Sequence, residues 1–195
     1  SAVYEGVQVP IDAALRIEAR YFTNVVMDPR SQNMVRSLFV NMQALSKGAR
    51  RPKDFDKYDV KKIGILGAGL MGAGIAYVTA KAGIEVILID TDQDAADKGK
   101  DYSTKILDKQ LSKKRTTEEK KEKLLNLITP TTDYSLLQGA DLIVEAVFEN
   151  RDIKAEVTAK AEAQIAETAV FGSNTSTLPI TGLAKNSKRP NNFIG

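Results

Sequence analysis

The chain has 195 residues, 43% of them hydrophobic and 27% charged. This composition excludes a disordered chain, a coiled coil or a collagen-like polymer and leaves room for one domain with material to spare. Twenty-eight Lys+Arg against 25 Asp+Glu give a net charge of +3, too balanced to imply nucleic-acid binding by bulk charge. Cysteine and histidine are both absent, which removes disulfides, thiolate metal sites, a thiol nucleophile and any His base or ligand within these residues.

The first stretch, residues 1–46, reads as two helices. Ile11, Ala14, Leu15, Ile17, Ala19 and Phe22 recur at helical spacing after Pro10, and Asp28-Pro29 interrupts them. Ser31 is placed to cap a second helix whose apolar face is Met34, Val35, Leu38, Phe39 and Met42. Two helices bury both faces poorly alone, so they are expected to pack against a further domain. Residues 47–59 (KGARRPKDFDKYD) are polar, contain Gly48 and Pro52, and read as a linker.

From residue 60 to 195 strands alternate with helices. Strands are expected at 62–66, 85–89, 128–130, 141–147 and 169–173, with a further one beginning at 193. Helices are expected at 71–82, 153–166 and 179–185, and a helix-rich charged stretch at 93–127 with a break near Thr116-Thr117. Such alternation implies an α/β Rossmann-type, doubly wound, mostly parallel sheet. No stretch approaches the ~20 apolar residues that span a bilayer. The start lacks a basic segment followed by an apolar run, so no signal peptide is expected. The cysteine-free composition suits a reducing cytoplasm.

Gly67-Ala68-Gly69-Leu70-Met71-Gly72 fits G-x-G-x-x-G, follows a strand and opens a helix. Gly67 serves the tight turn, Gly69 the close approach of a pyrophosphate, and Gly72 the packing of helix on strand. The free N–H groups and dipole at the helix start favour the anion. Asp90 ends the second strand 18 residues after Gly72, where it can take the hydroxyls of an adenosine ribose. No arginine follows it for a 2′-phosphate; Asp92 instead adds repulsion, so NAD is favoured over NADP. A flavin also satisfies the fingerprint alone.

GAGLMGAGIA, VILID, IVEAVFEN and GSNTSTLPI, in this order and spacing, resemble the 3-hydroxyacyl-CoA dehydrogenase family. The segment VPIDAALRIEARYF resembles the stretch that joins a crotonase-type hydratase domain to the dehydrogenase domain in alpha subunits of bacterial fatty-acid oxidation complexes. The resemblance implies NAD-dependent oxidation of a (3S)-3-hydroxyacyl-CoA. It makes residues 1–46 the end of a crotonase-type domain, and residues 60–195 the NAD-binding domain of a longer enzyme. It also implies a thiolase beta subunit as partner. The family's catalytic histidine is expected just past Gly195, so the chain alone is expected to be inactive.

Residue by residue, the resemblance puts Ser176 against the substrate's 3-oxygen. It puts Leu70, Met71, Glu149, Lys154 and Asn174 near the cofactor, with Gly67, Gly69, Gly72 and Asp90. Lys113, in the basic run Lys105 to Arg115, matches a coenzyme A contact. Each position also has a plain structural reading. Ser176 could cap the Pro179 helix. Lys154 could be a solvated first-turn lysine, although the helix dipole disfavours a cation there. The basic run could be a solvated helix face.

Two other functions fit parts of the sequence: a stand-alone NAD-binding or assembly module without catalysis, which the lack of histidine favours, and a dehydrogenase of the hydroxyisobutyrate or 6-phosphogluconate kind, which lacks the IVEAVFEN…SNTS pairing.

Overall fold

A computed structural model describes every residue except Lys57, which falls in the stretch expected to be a linker. Contacts divide the chain into two units, Ser1–Lys57 and Tyr58–Gly195.

In the first unit a short helix α1 (Ala2–Gly6) precedes α2 (Ile11–Met27), and α3 (Pro29–Val35) runs through a wider π-type turn at Arg36–Asn41 into α4 (Met42–Ser46). The cap of α3 is Asp28, whose side chain accepts the Arg30 N–H at 2.9 Å, and not the expected Ser31. Pro29 decides this. It has no N–H to satisfy and its ring presets φ for the first helical position, so the residue before it becomes the cap. Glu5 fastens α1 to α2 by accepting hydrogen bonds from the Tyr21 hydroxyl and, at 3.2 Å, from Arg20. No residue of these four helices is buried, so the apolar stripe that defines α2 in the sequence remains largely exposed.

The second unit carries strands β1 (Lys62–Leu66), β2 (Glu85–Ile89), β3 (Ile128–Thr131), β4 (Leu142–Glu145), β5 (Val170–Ser173) and β6 (Phe193–Ile194). Their order in the sheet is β3-β2-β1-β4-β5-β6, and every neighbouring pair is parallel. The helices are α5 (Leu70–Lys81), α6 (Gln93–Ser112), α7 (Glu118–Leu125), α8 (Arg151–Glu162) and α9 (Ile180–Ala184). Because successive strand side chains alternate faces, β2 divides itself between two cores. Ile87 and Ile89 join Leu66, Leu137, Ile143, Phe171 and Phe193 on one face. Val86 and Leu88 join Ile63, Ile65, Ala76, Ala80 and Ile128 on the other. Each large aliphatic side chain so buried contributes roughly 1.5–3 kcal/mol of transfer free energy.

Caps set the helix bounds. Asp92 accepts the Ala95 N–H at 2.9 Å and starts α6; Thr117 starts α7, at the break expected there. Beyond the α6 end, Lys114 adopts φ 55. There the Lys114 N–H donates to the Leu111 carbonyl and the Arg115 N–H to the Gln110 carbonyl, both at 2.9 Å, the paired bonds of a Schellman stop. Asn150 starts α8 two residues earlier than expected by accepting the Asp152 and Ile153 N–H groups. β4 is shorter than the expected strand 141–147: at its far end the Val147 N–H leaves the ladder for the Glu145 carboxylate at 2.9 Å, while at its start the Asp141 carboxylate accepts the Lys61 and Lys62 N–H groups at 2.7 and 3.0 Å. No helix of the described residues is long and apolar enough to cross a membrane.

The end of α8 is held from a distance in sequence. The Arg189 guanidinium donates to the carbonyls of Glu162, Ile165 and Ala166 at 2.9, 3.0 and 2.7 Å. The Glu162 carboxylate in turn accepts the Ser187 hydroxyl and the Lys188 N–H. Arg189→Ala is expected to lower unfolding free energy by about 1–3 kcal/mol, the scale of charge-assisted hydrogen bonds lost from half-buried carbonyls. Arg189→Lys should recover only part of it, since one ammonium cannot reproduce the fork. Urea unfolding followed by circular dichroism measures both.

Candidate functional site

The crevice lies where the sheet order reverses, between β1 and β4. That is the place at which open α/β sheets bind ligands. On its β1 side, Gly67 follows the strand with φ 96, and a Cβ there would lie 2.6 Å from the Ala146 carbonyl oxygen. A Cβ on Gly72 would lie 1.8 Å from the Gly67 carbonyl oxygen, so any side chain would drive α5 off the turn. Gly69 differs: a Cβ there meets nothing within 4 Å. The space above it is open.

Gly69 is also the N-cap of α5. It supplies no side-chain acceptor, and the first turn carries no acid. The leading N–H groups of α5 and the positive end of its dipole therefore face that space, which fits a pyrophosphate. Leu70 and Met71, in this first turn, are exposed.

Asp90 closes the same side. Its Oδ2 accepts the Ala68 N–H at 2.6 Å, and its Oδ1 accepts the Thr91 N–H at 2.7 Å and the Thr91 hydroxyl at 3.2 Å. The acid is thus fixed beside the glycine turn with acceptor capacity left on Oδ2. These features together fit the adenosine half of a dinucleotide.

On the β4 side, Glu145 and Ser173 are the last residues of neighbouring strands and pair in register. Both are buried. The Lys154 ammonium donates to Glu145 Oε1 at 2.7 Å and Oε2 at 2.9 Å. The Val147 N–H donates to Oε1 at 2.9 Å and the Ser173 hydroxyl to Oε2 at 2.6 Å. Lys154 is 2% exposed, so the solvated reading of this lysine fails: the core side of α8 and a buried carboxylate hold it. Its ammonium also lies 3.3 Å from Glu149 Oε2.

Glu149 faces outward and ties two loops. The Thr175 hydroxyl donates to its oxygens at 2.8 and 2.9 Å, and the Ser176 N–H donates at 3.2 Å. The Asn174 N–H donates to the Glu145 carbonyl at 2.7 Å. Ser176 is exposed. It does not cap α9, whose N-cap is Pro179 with no side-chain bond. The local turn is made by Thr175, whose hydroxyl accepts the Leu178 N–H at 3.2 Å. The Ser176 hydroxyl thus remains available at the ends of β4 and β5.

Lys113 lies elsewhere. It follows the far end of α6, about 30 Å of helix from Asp90 at 1.5 Å per residue. It is exposed, as the C-cap of that helix. Sequence reasoning left Glu145 and Ser173 unassigned. The usable signal was a polar residue closing each of two apolar strands, with a lysine in the next helix to pair.

Glu149 should titrate below the ordinary carboxyl value of 4.5, chiefly because the Thr175 hydroxyl donates to its charged form, aided by the Ser176 N–H and the Lys154 ammonium. A depressed folded-state value means that the tie contributes fully above the unfolded-state value and is lost as pH falls through the folded one. Carboxyl carbon NMR across pH 2–6 should place the midpoint below 4.5, and Thr175→Val should move it upward.

Residues 62–195 match the family described as 3-hydroxyacyl-CoA dehydrogenase, NAD binding domain. The fatty acid oxidation complex subunit alpha of Pseudomonas syringae pv. syringae is 42% identical over 186 residues, covering 94% of this chain and 25% of that protein. Its counterpart in Pseudomonas entomophila is 39% identical over 184 residues, with 94% and 26% covered. The chain therefore spans about a quarter of the length of these relatives. Among solved structures, FadB2 of M. tuberculosis is similar with a TM-score of 0.66 and 34% identity, over 70% of this chain and 48% of that one. The (S)-3-hydroxybutyryl-CoA dehydrogenase PaaH1 of Ralstonia eutropha gives 0.66 and 34%, over 69% and 48%. The parallel order 3-2-1-4-5-6, the open glycine turn with its acid and the family match agree: this chain belongs to the 3-hydroxyacyl-CoA dehydrogenase family, through its NAD-binding domain.

Proposed function

We propose that the chain holds NAD across the β1/β4 crevice and serves, within a longer protein, the oxidation of a (3S)-3-hydroxyacyl-CoA in fatty-acid breakdown. The observation that carries this reading is the open cradle over Gly69 at the uncapped start of α5, with Asp90 fixed beside it. Gly67, Gly69, Leu70, Met71 and Gly72 would hold the pyrophosphate, and Asp90 the adenosine ribose. Glu149 and Asn174 would meet the nicotinamide half, with Lys154 acting behind Glu149. When bound, NAD supplies the acceptor for the hydride leaving C3 of the substrate.

Ser176 would orient the substrate's 3-oxygen. A hydroxyl can accept from an alcohol and donate to the ketone that replaces it. It is a poor proton acceptor, and the chain has no histidine, so in this reading the general base lies outside these residues. Lys113 would meet the coenzyme A moiety as a point charge at the far end of α6.

The likeness to oxidation-complex alpha subunits supports three further parts of the proposal. Residues 1–46 would close a preceding hydratase-type domain, with 47–59 linking it to the NAD-binding domain at 60–195. A thiolase-type beta subunit would be the partner. The compartment would be the cytoplasm.

NADH should bind the chain more tightly than NADPH, because Asp90 accepts from ribose hydroxyls and repels a 2′-phosphate. Asp90→Asn should weaken NADH by about tenfold. Fluorescence titration reads both, and equal affinity for NADPH would overturn the role of Asp90.

The chain alone should not oxidise 3-hydroxyacyl-CoA, since a missing general base costs about 10²–10⁴-fold. In a protein extended to the length of the relatives, Ser176→Ala should lower kcat while leaving NADH affinity unchanged. Absorbance at the NADH band with acetoacetyl-CoA as reverse substrate measures it. Full turnover by the 195-residue chain would refute the external base.

A further inference from the structure

We infer that Glu145 is a positioning residue for the nicotinamide half of the cofactor site, acting through Lys154 and Glu149 and touching neither cofactor nor substrate. The inference rests on the dinucleotide reading of the crevice and extends it to a residue at its floor.

Glu145 is 1% exposed and its carboxylate is saturated. Lys154 donates to both oxygens, Val147 N–H to Oε1 and Ser173 Oγ to Oε2. Four donor contacts fill the four lone-pair sites of a carboxylate. No lone pair is left to bind a ligand directly. What the carboxylate does hold is four pieces of chain: its own strand β4, the turn at Val147, helix α8 through Lys154, and strand β5 through Ser173.

The ammonium carries the effect onward. Lys154 has three N–H bonds. Two point to Glu145, and Glu149 Oε2 lies 3.3 Å from the nitrogen. Glu149 then accepts from Thr175 and from the Ser176 N–H. One buried charge thereby fixes an ammonium, the ammonium steadies an outward carboxylate, and that carboxylate sets the loop bearing Ser176. The adenosine half is built from other parts: the glycine turn, the start of α5 and Asp90. The two halves of the site are therefore separable by ligand.

The test compares NADH with AMP, which reports the adenosine half alone, on the unsubstituted chain and on Glu145→Gln. Glutamine keeps the shape but offers one acceptor oxygen and turns two donors toward Lys154 or Ser173. NADH should weaken by at least about tenfold, and AMP, followed by NMR titration, should bind as before. A merely structural role would move both ligands together.

Should Glu145→Gln not fold, Ser173→Ala removes one of the four contacts and leaves the ion pair. It should weaken NADH by a few-fold with AMP unchanged. Unchanged NADH affinity in Glu145→Gln, equal loss of both ligands, or an unaffected Ser173→Ala beside an unfolded Glu145→Gln would each overturn the inference. Failure of the unsubstituted chain to bind NADH would instead overturn the cofactor reading, and this inference with it.

Discussion

The second unit is organised around a backbone crossing too tight for any side chain. α5 passes over the end of β1 so closely that a single carbon added at Gly72 would overlap the Gly67 carbonyl. The turn is confined from two other directions. Gly67 abuts the Ala146 carbonyl where β4 ends, and Gly99 lets α6 press against Ala68. Three elements thus meet at one turn, two of them, β4 and α6, from farther along the chain. The positive end of α5, the exit of β4 and the acid after β2 are placed in consequence of that packing.

The opposite side of the crevice is built on charge. Burying an ion pair costs several kcal/mol per ion before the mutual attraction is counted, and an apolar pair of equal volume often stabilises a fold as well or better. The Glu145–Lys154 pair is therefore weak evidence of stabilisation. Its value lies in direction: a carboxylate with every lone pair occupied, holding an ammonium by both oxygens, ties β4, β5 and α8 into one arrangement. Steric closeness fixes one half of the site and polar saturation the other.

The fold and the first half of the site were legible because short-range rules govern them. Strand, glycine turn, helix, strand and acid occupy consecutive sequence, and each glycine has a local steric reason. The helix start at Asp92 follows from cap chemistry; those at Asn150 and Asp28 obey the same chemistry but fall before the starts read from apolar spacing and from Ser31. The second half was less legible because its partners are distant. Lys154 looks like a first-turn surface lysine until α8 is docked on the sheet, and only register across β4 and β5 brings Ser173 to Glu145. Arg189 was equally silent in the sequence, since its acceptors are helix-end carbonyls some two dozen residues away. The Thr175–Leu178 turn shows the same limit in miniature: neighbouring hydroxyls at 175 and 176 are equivalent by spacing, and only the backbone distinguishes them.

The sheet order also carries a kinetic consequence. A parallel sheet contains no hairpin, so none of its pairings can form by local zipping. β1 finds β2 across one crossover, but its other neighbour pairs Ile63 with Leu142, and loop-closure entropy must be overcome before that contact gives anything back. The crevice exists only once this long-range step is complete, because it is bounded by β1 on one side and β4 on the other. A ligand that bridges it recognises the closed topology and no earlier form. Its binding therefore draws on the folding equilibrium of the second unit, and occupancy stabilises that unit against global unfolding, not only the strands beneath the ligand.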